Sequence, residues 1–137
     1  MGKLGTFLTL GGTEKRAAIE ALALVAWAQL LVTFIPPRRW RDRLLNREAP
    51  TGHANPAALR LVRQAVNRAA RNIPTAPNCL PQALAARKML ARRGIASQLH
   101  IGTERGQDGA HAFHAWLKVG DQWITGDCDE SHYRLLN

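Results

Sequence analysis

The sequence has few cysteines and few acidic residues. Its two thiols, Cys79 and Cys128, are too few for a disulfide framework, and no cleavable secretory signal is recognisable at the start of the chain. We therefore expect a cytoplasmic protein. Ten Asp and Glu residues stand against nineteen Lys and Arg residues, for a formal net charge of +9. This excess favours an acidic partner, such as nucleic acid, anionic lipid or an acidic peptide, without choosing among them.

The longest apolar segment is residues 17–35, in which Glu20 is the only charged residue. Its length is close to the ~20 residues that span a bilayer. We expect a helix that is buried or faces a partner protein. Contact with a membrane is the less favoured interpretation, in which the basic pairs at 15–16 and 38–39 would meet an anionic lipid surface and the protein would be membrane-associated.

Proline and polar residues divide the chain. Pro36 and Pro37 end the first helix, and residues 46–54 have the polar, Pro- and Gly-containing composition of a linker. The pattern predicts an N-terminal helical region over 1–45, which contacts a partner or a membrane, and a second unit over 55–137.

The second unit begins with helices and ends with strands. Asn55 and Pro56 are a typical cap and first residue of a helix. A further helix is predicted to begin at Cys79, behind Asn78, and to end before Gly94. After Gly94 the apolar period changes to two, which predicts an antiparallel sheet. The fold class is therefore α+β.

Cys79, at the start of its helix, is the best candidate nucleophile, because free amides and the helix dipole favour a thiolate there. A histidine would serve as its base. If Gly120 and Asp121 form a two-residue hairpin turn, His114 lies opposite Asp127, with Cβ atoms about 5 Å apart. Asp127 would then orient the imidazole. A shift of one residue in this strand pairing would give the orienting role to Asp129 or leave no aspartate in that position.

Four blocks of this unit carry a further resemblance. They are residues 78–80 (NCL), 83–86 with 90–95 (ALAA and LARRGI), 99–102 (LHIG) and 114–117 (HAWL). Together they resemble the lasso-peptide leader peptidases, which are transglutaminase-like cysteine peptidases and form the second half of the pathway's B protein. The N-terminal helix ending in Pro36 and Pro37 is also similar, so the resemblance covers nearly the whole chain.

The resemblance implies a papain-like core and a Cys-His-Asp triad. Cys79 and His114 match the motifs, whereas Asp127 fits less closely and Asp129 is near it. An additional histidine, His111, precedes the block, but His114 directly precedes Ala-Trp and is therefore chosen.

The implied substrate is a ribosomally made precursor peptide, cut between its leader and core. A separate small leader-binding protein would present it, and a macrolactam-forming cyclase would then receive the freed core amine. No metal or organic cofactor is needed for the peptidase step.

Three other interpretations stay open. A non-catalytic basic module that binds nucleic acid or a membrane surface would explain the charge, although no nucleic-acid motif is recognisable, so no nucleic acid is expected as a partner. The same triad could also carry out acyl transfer instead of hydrolysis. A zinc site of Cys79, Cys128 and histidines lacks the close paired spacings of such sites.

Overall fold

A computed structural model of the chain describes residues 11–36, 38–39, 55–73, 79–104, 113–127 and 133–135. These residues form three long helices and a four-stranded antiparallel sheet, so the predicted α+β class is confirmed. The helices are α1 (Gly12–Phe34), α2 (Pro56–Asn72) and α3 (Cys79–Arg92). The strands are β1 (Gln98–Glu104), β2 (Phe113–Val119), β3 (Gln122–Thr125) and β4 (Tyr133–Leu135). The predicted linker, residues 46–54, lies outside the described residues, and the domain division stays a prediction.

Local signals fix the ends of α2 and α3. The side chain of Asn55 accepts a hydrogen bond from the backbone N–H of Ala57 at 2.9 Å, and Pro56 needs no such partner. Beyond α3, Gly94 has a φ of +73°, and the N–H of Ile95 bonds back to the carbonyl of Leu90 at 2.9 Å. This is a Schellman-type end, which satisfies the last carbonyls of the helix and turns the chain towards the sheet.

Helix α1 packs against both α2 and α3. Its contact face consists of small residues that let the helix backbones approach closely: Ala17, Ala21, Val25 and Ala28, all fully buried. The one acidic residue within its apolar run, Glu20, accepts a 2.7 Å bond from Arg93 at the end of α3, and the Lys88 ammonium lies 4.3 Å from the Trp27 ring centroid. Both polar contacts therefore join α1 to the helix that carries Cys79.

The opposite side of α1 is an exposed apolar stripe, formed by Ile19, Leu22, Leu30 and Phe34. By length and composition this helix could cross a membrane, a criterion that the core helices of soluble proteins also meet. One face of α1 thus belongs to the protein core, and the other presents apolar side chains at the surface of the described part of the chain.

The sheet has the strand order β3-β2-β1-β4. The hairpin turn at Gly120 and Asp121 is confirmed, because Val119 pairs with Gln122. Closer to the site the predicted register is wrong: Leu117 pairs with Thr125, whereas an unbroken hairpin would pair it with residue 124. A β-bulge therefore places one extra residue in β3, and every later position of that segment is shifted by one.

The bulge matters because alternate residues of a strand face opposite sides of the sheet. Ala115 and Leu117 of β2 belong to the buried cluster shared with the helices, as does Leu99 of β1. His114 and Trp116 lie on the other face by alternation. A shift of one residue in the partner segment consequently changes which of its side chains shares a face with His114.

Candidate active site

Helix α3 begins at Cys79, as the sequence predicts, and the thiol is half-buried and free of any disulfide. Its Sγ accepts a hydrogen bond from the backbone N–H of Ala115 at 3.3 Å. That nitrogen is bonded directly to the carbonyl carbon of His114, so standard peptide geometry places Sγ within about 6 Å of the His114 Cα. The fold has therefore brought two residues that lie 35 positions apart in the sequence to adjacent places.

The N–H of Ala115 shows at which edge of β2 the thiol of Cys79 lies. Strand β1 pairs with β2 without interruption from Gln98 opposite Lys118 to Thr103 opposite Phe113. The other edge of β2 is covered by β3 only as far as Leu117 opposite Thr125. The N–H of Ala115 is therefore available to the sulfur on the β3 side, where that strand has ended.

The imidazole of His114 turns towards the same edge. Its Nε2 lies 2.7 Å from the carbonyl oxygen of Gly126, the first residue after β3. A carbonyl oxygen can only accept a hydrogen bond, so Nε2 carries a proton. In the neutral ring Nδ1 then holds the lone pair, and Nδ1 is the ring nitrogen nearer the backbone at which the thiol is held. In this tautomer Nδ1 is the nitrogen of the ring that can accept a proton.

Aromatic rings hold the imidazole in place on its face of the sheet. The His114 ring stacks on Trp116, with centroids 5.7 Å apart, and on Tyr133 of β4, with centroids 5.3 Å apart. Trp116 is fully buried, and His100 stacks on it with centroids 5.6 Å apart. Trp116 is therefore a packing residue, and the stack restricts the plane of the His114 ring.

Asp127 pairs with a residue that the sequence does not single out. Its Oδ2 accepts a bond from Arg63 Nη2 of α2 at 3.2 Å, and the Nη1 of the same guanidinium donates to the carbonyl of Trp123 at 3.1 Å. The prediction of Asp127 opposite His114 assumes an unbroken hairpin register. The bulge interrupts that register, so the Asp127 side chain lies on the side of the helices. Its role as the third triad member stays a prediction.

Other candidates lie outside the described residues. They are Asn78, His111, Cys128 and Asp129. Among the residues that the structure describes, no three His, Cys, Asp or Glu side chains form a group that could hold a metal ion.

A helix-start cysteine set against a strand that carries a histidine is the arrangement of a thiol-based hydrolase or acyltransferase. The comparison with protein families agrees with this class. The sequence model of the transglutaminase-like superfamily matches residues 21–137, and the chain belongs to that superfamily. Membership is consistent with a cysteine peptidase. No curated protein and no solved structure matches the chain.

Two backbone contacts hold the thiol of Cys79 and the imidazole of His114 at one edge of β2. The sequence does not identify Gly126 and Arg63 as parts of the site. The position of Gly126 directly after a strand is the one sequence feature that indicates a close approach of the backbone at this point.

Proposed function

We propose that the chain is a cysteine peptidase that removes the leader from a lasso-peptide precursor. The observation that carries the proposal is the hydrogen bond that holds Cys79 Sγ against the backbone next to His114. The four sequence blocks that resemble the leader peptidases support the choice of substrate, and membership of the transglutaminase-like superfamily is consistent with the chemistry.

The reaction begins when the Cys79 sulfur attacks the carbonyl carbon of the last leader residue and His114 takes the thiol proton at Nδ1. The tetrahedral intermediate collapses, the C–N bond breaks, and His114 gives its proton to the departing amine of the core. The leader is then held as a thioester on Cys79. A water molecule gives a proton to His114 and attacks this thioester, which releases the leader carboxylate and restores the thiol.

Asp127 is proposed as the acidic residue that supports the His114 base, directly or through the neighbouring backbone, with Asp129 as the alternative. A small leader-binding protein presents the precursor, and the freed core amine becomes a substrate for the macrolactam-forming cyclase. The reaction is proposed for the cytoplasm. The basic residues that follow α1, Arg38 and Arg39, are proposed to contact the acidic leader or the presenting protein.

The test is incubation of the chain with the precursor and the leader-binding protein, followed by mass spectrometry. The expected products are a free leader and a free core whose masses together exceed the precursor by one water. Cys79→Ala should abolish cleavage and leave the fold and the binding of the presenting protein intact. Normal cleavage by Cys79→Ala would end the proposal. A leader joined to an added amine, without gain of water, would indicate acyl transfer instead of hydrolysis.

The net positive charge of the chain supports a second candidate function, a binding module for nucleic acid or anionic lipid. Its exposed arginines include Arg60 and Arg71 on α2. Such a module would show binding that falls steeply with salt and is indifferent to alkylation of Cys79. The leader peptidase predicts the reverse, namely complete loss of activity on alkylation and a modest dependence on salt.

A further inference from the structure

We infer that the backbone carbonyl of Gly126 is the group that orients the His114 base, and that Asp127 acts indirectly, by fixing the Gly126 peptide through Arg63. The inference rests on the proposed function, in which His114 is the base. It assigns the orienting role to a residue that contributes no side chain, and it makes Gly126 a positioning residue.

The proton of the His114 ring lies on Nε2, where it is bonded to Gly126. At 2.7 Å the bond between Nε2 and the Gly126 oxygen is short for an N–H···O bond. It fixes the position of the ring proton and hence leaves Nδ1 as the acceptor for the thiol proton. In a triad, this is the function usually given to a carboxylate. Here the carboxylate of Asp127 is bonded to Arg63 on the helix side of the sheet.

The backbone at residue 126 requires a glycine. Its φ is +71°, a conformation that residues with a Cβ rarely adopt. A Cβ at this position would also lie 2.5 Å from the carbonyl oxygen of Ala115 and 3.0 Å from the Cβ of Trp116. The backbone of Gly126 therefore lies directly against β2, and this close approach is what brings its own carbonyl to the His114 ring.

Arg63 holds the segment 123–127 at both ends. The guanidinium of Arg63 bonds to the carbonyl of Trp123 and to the carboxylate of Asp127, one on each side of the bulge and of Gly126. It thereby fixes both ends of a segment whose register has shifted by one residue. Both side chains of this ion pair are about half exposed, at 47% and 53%. A pair this exposed contributes little by itself, so its loss should loosen the segment without removing the Gly126 bond.

Orientation of the ring by the Gly126 carbonyl and orientation by the Asp127 carboxylate predict different behaviour of the His114 tautomer in Asp127→Asn, and this can be measured. Nitrogen-detected NMR of ¹⁵N-histidine-labelled protein, above the pH at which the ring titrates, reports which ring nitrogen carries the proton. His114→Gln identifies the signals of His114 among those of the five histidines. We expect the Nε2–H form in the wild type and the same form in Asp127→Asn. An Nδ1–H ring in the wild type, or a tautomer that changes in Asp127→Asn, would overturn the inference.

Turnover of the precursor gives the second readout. Gly126→Ala should lower kcat/KM at least about a hundredfold, because a displacement of about 1 Å in a catalytic group can cost that much. Asp127→Asn should lower it less than about tenfold. Gly94→Ala is the matched control, since Gly94 has a φ of +73° but open space around its Cβ position; it carries the same backbone strain away from the site.

The outcomes separate the inference from the proposed function. If Gly126→Ala does not fold, the tautomers of the wild type and of Asp127→Asn still decide the question. An equal loss of kcat/KM in Asp127→Asn and Gly126→Ala would contradict the inference. If the chain does not cut the precursor, the proposed substrate is wrong, but the NMR result still tells whether Gly126 orients the ring.

Discussion

The ion pair between Glu20 of α1 and Arg93 at the end of α3 gives a quantitative test of how α1 is attached. Arg93 Nη1 lies 2.7 and 3.2 Å from the two carboxylate oxygens of Glu20, and Arg92 adds a contact at 3.4 Å. The Glu20 side chain is only 14% exposed and that of Arg93 26%. We consider the substitution Glu20→Gln, which keeps the shape of the side chain and removes its charge.

The expected cost lies between two limits. Breaking a fully buried pair costs about 3–5 kcal/mol, and losing an exposed pair costs about 0–1 kcal/mol. Because the pair is mostly shielded but Arg93 retains some access to water, we expect Glu20→Gln to lower the free energy of unfolding by about 2 kcal/mol. For a chain of this length that is a fall in Tm of about 7 °C.

Thermal unfolding followed by circular dichroism measures this change. Glu14→Gln is the control, since Glu14 lies exposed in the first turn of the same helix and its substitution should leave Tm near that of the wild type. A Glu20→Gln protein as stable as the wild type would show that α1 does not pack on α3 in solution. The same result would favour a helix whose apolar surface is occupied by a membrane.

Three further outcomes are expected. Neutralising Arg38 and Arg39 together with Arg41, which lies outside the described residues, should weaken the affinity for the presenting protein in a titration; unchanged affinity would mean that this charge is incidental. Phe34→Glu, at a side chain that is 74% exposed, should leave Tm nearly unchanged; in a sedimentation assay with anionic vesicles, it should reduce binding only if the apolar stripe of α1 meets lipid. Ala21→Leu should destabilise by about 1–3 kcal/mol, because Ala21 is fully buried between helices; a stability equal to that of the wild type in urea would contradict the observed packing.

Features that depend on neighbouring residues could be predicted from the sequence. Asn55 caps α2, α3 begins at Cys79, and Gly94 adopts the left-handed conformation that ends it. The two-residue turn at Gly120 and Asp121 follows from the same local chemistry. Each of these features is set within a few residues, by a side chain that can cap a helix or a glycine that can adopt a positive φ.

The parts that could not be predicted depend on distant residues. Nothing in residues 122–125 indicates the bulge. The unbroken register would place Ile124 opposite Leu117 and the observed register places Thr125 there, and both side chains are buried. The partners of Glu20 and Asp127 lie 73 and 64 positions away. An arginine-rich sequence offers many equally plausible partners for a carboxylate, so only the packing of the helices on the sheet selects Arg93 and Arg63. The orientation of the base by Gly126 is a consequence of that packing.

The most direct test of the paired thiol and imidazole is the rate at which iodoacetamide alkylates Cys79 at neutral pH. Peptide mass spectrometry locates the adduct, and Cys128 is an internal reference thiol. We expect Cys79 to react faster than Cys128 in the wild type and to lose that advantage in His114→Gln. Equal rates at Cys79 in the two proteins would contradict the account, because they would mean that His114 does not act on the sulfur.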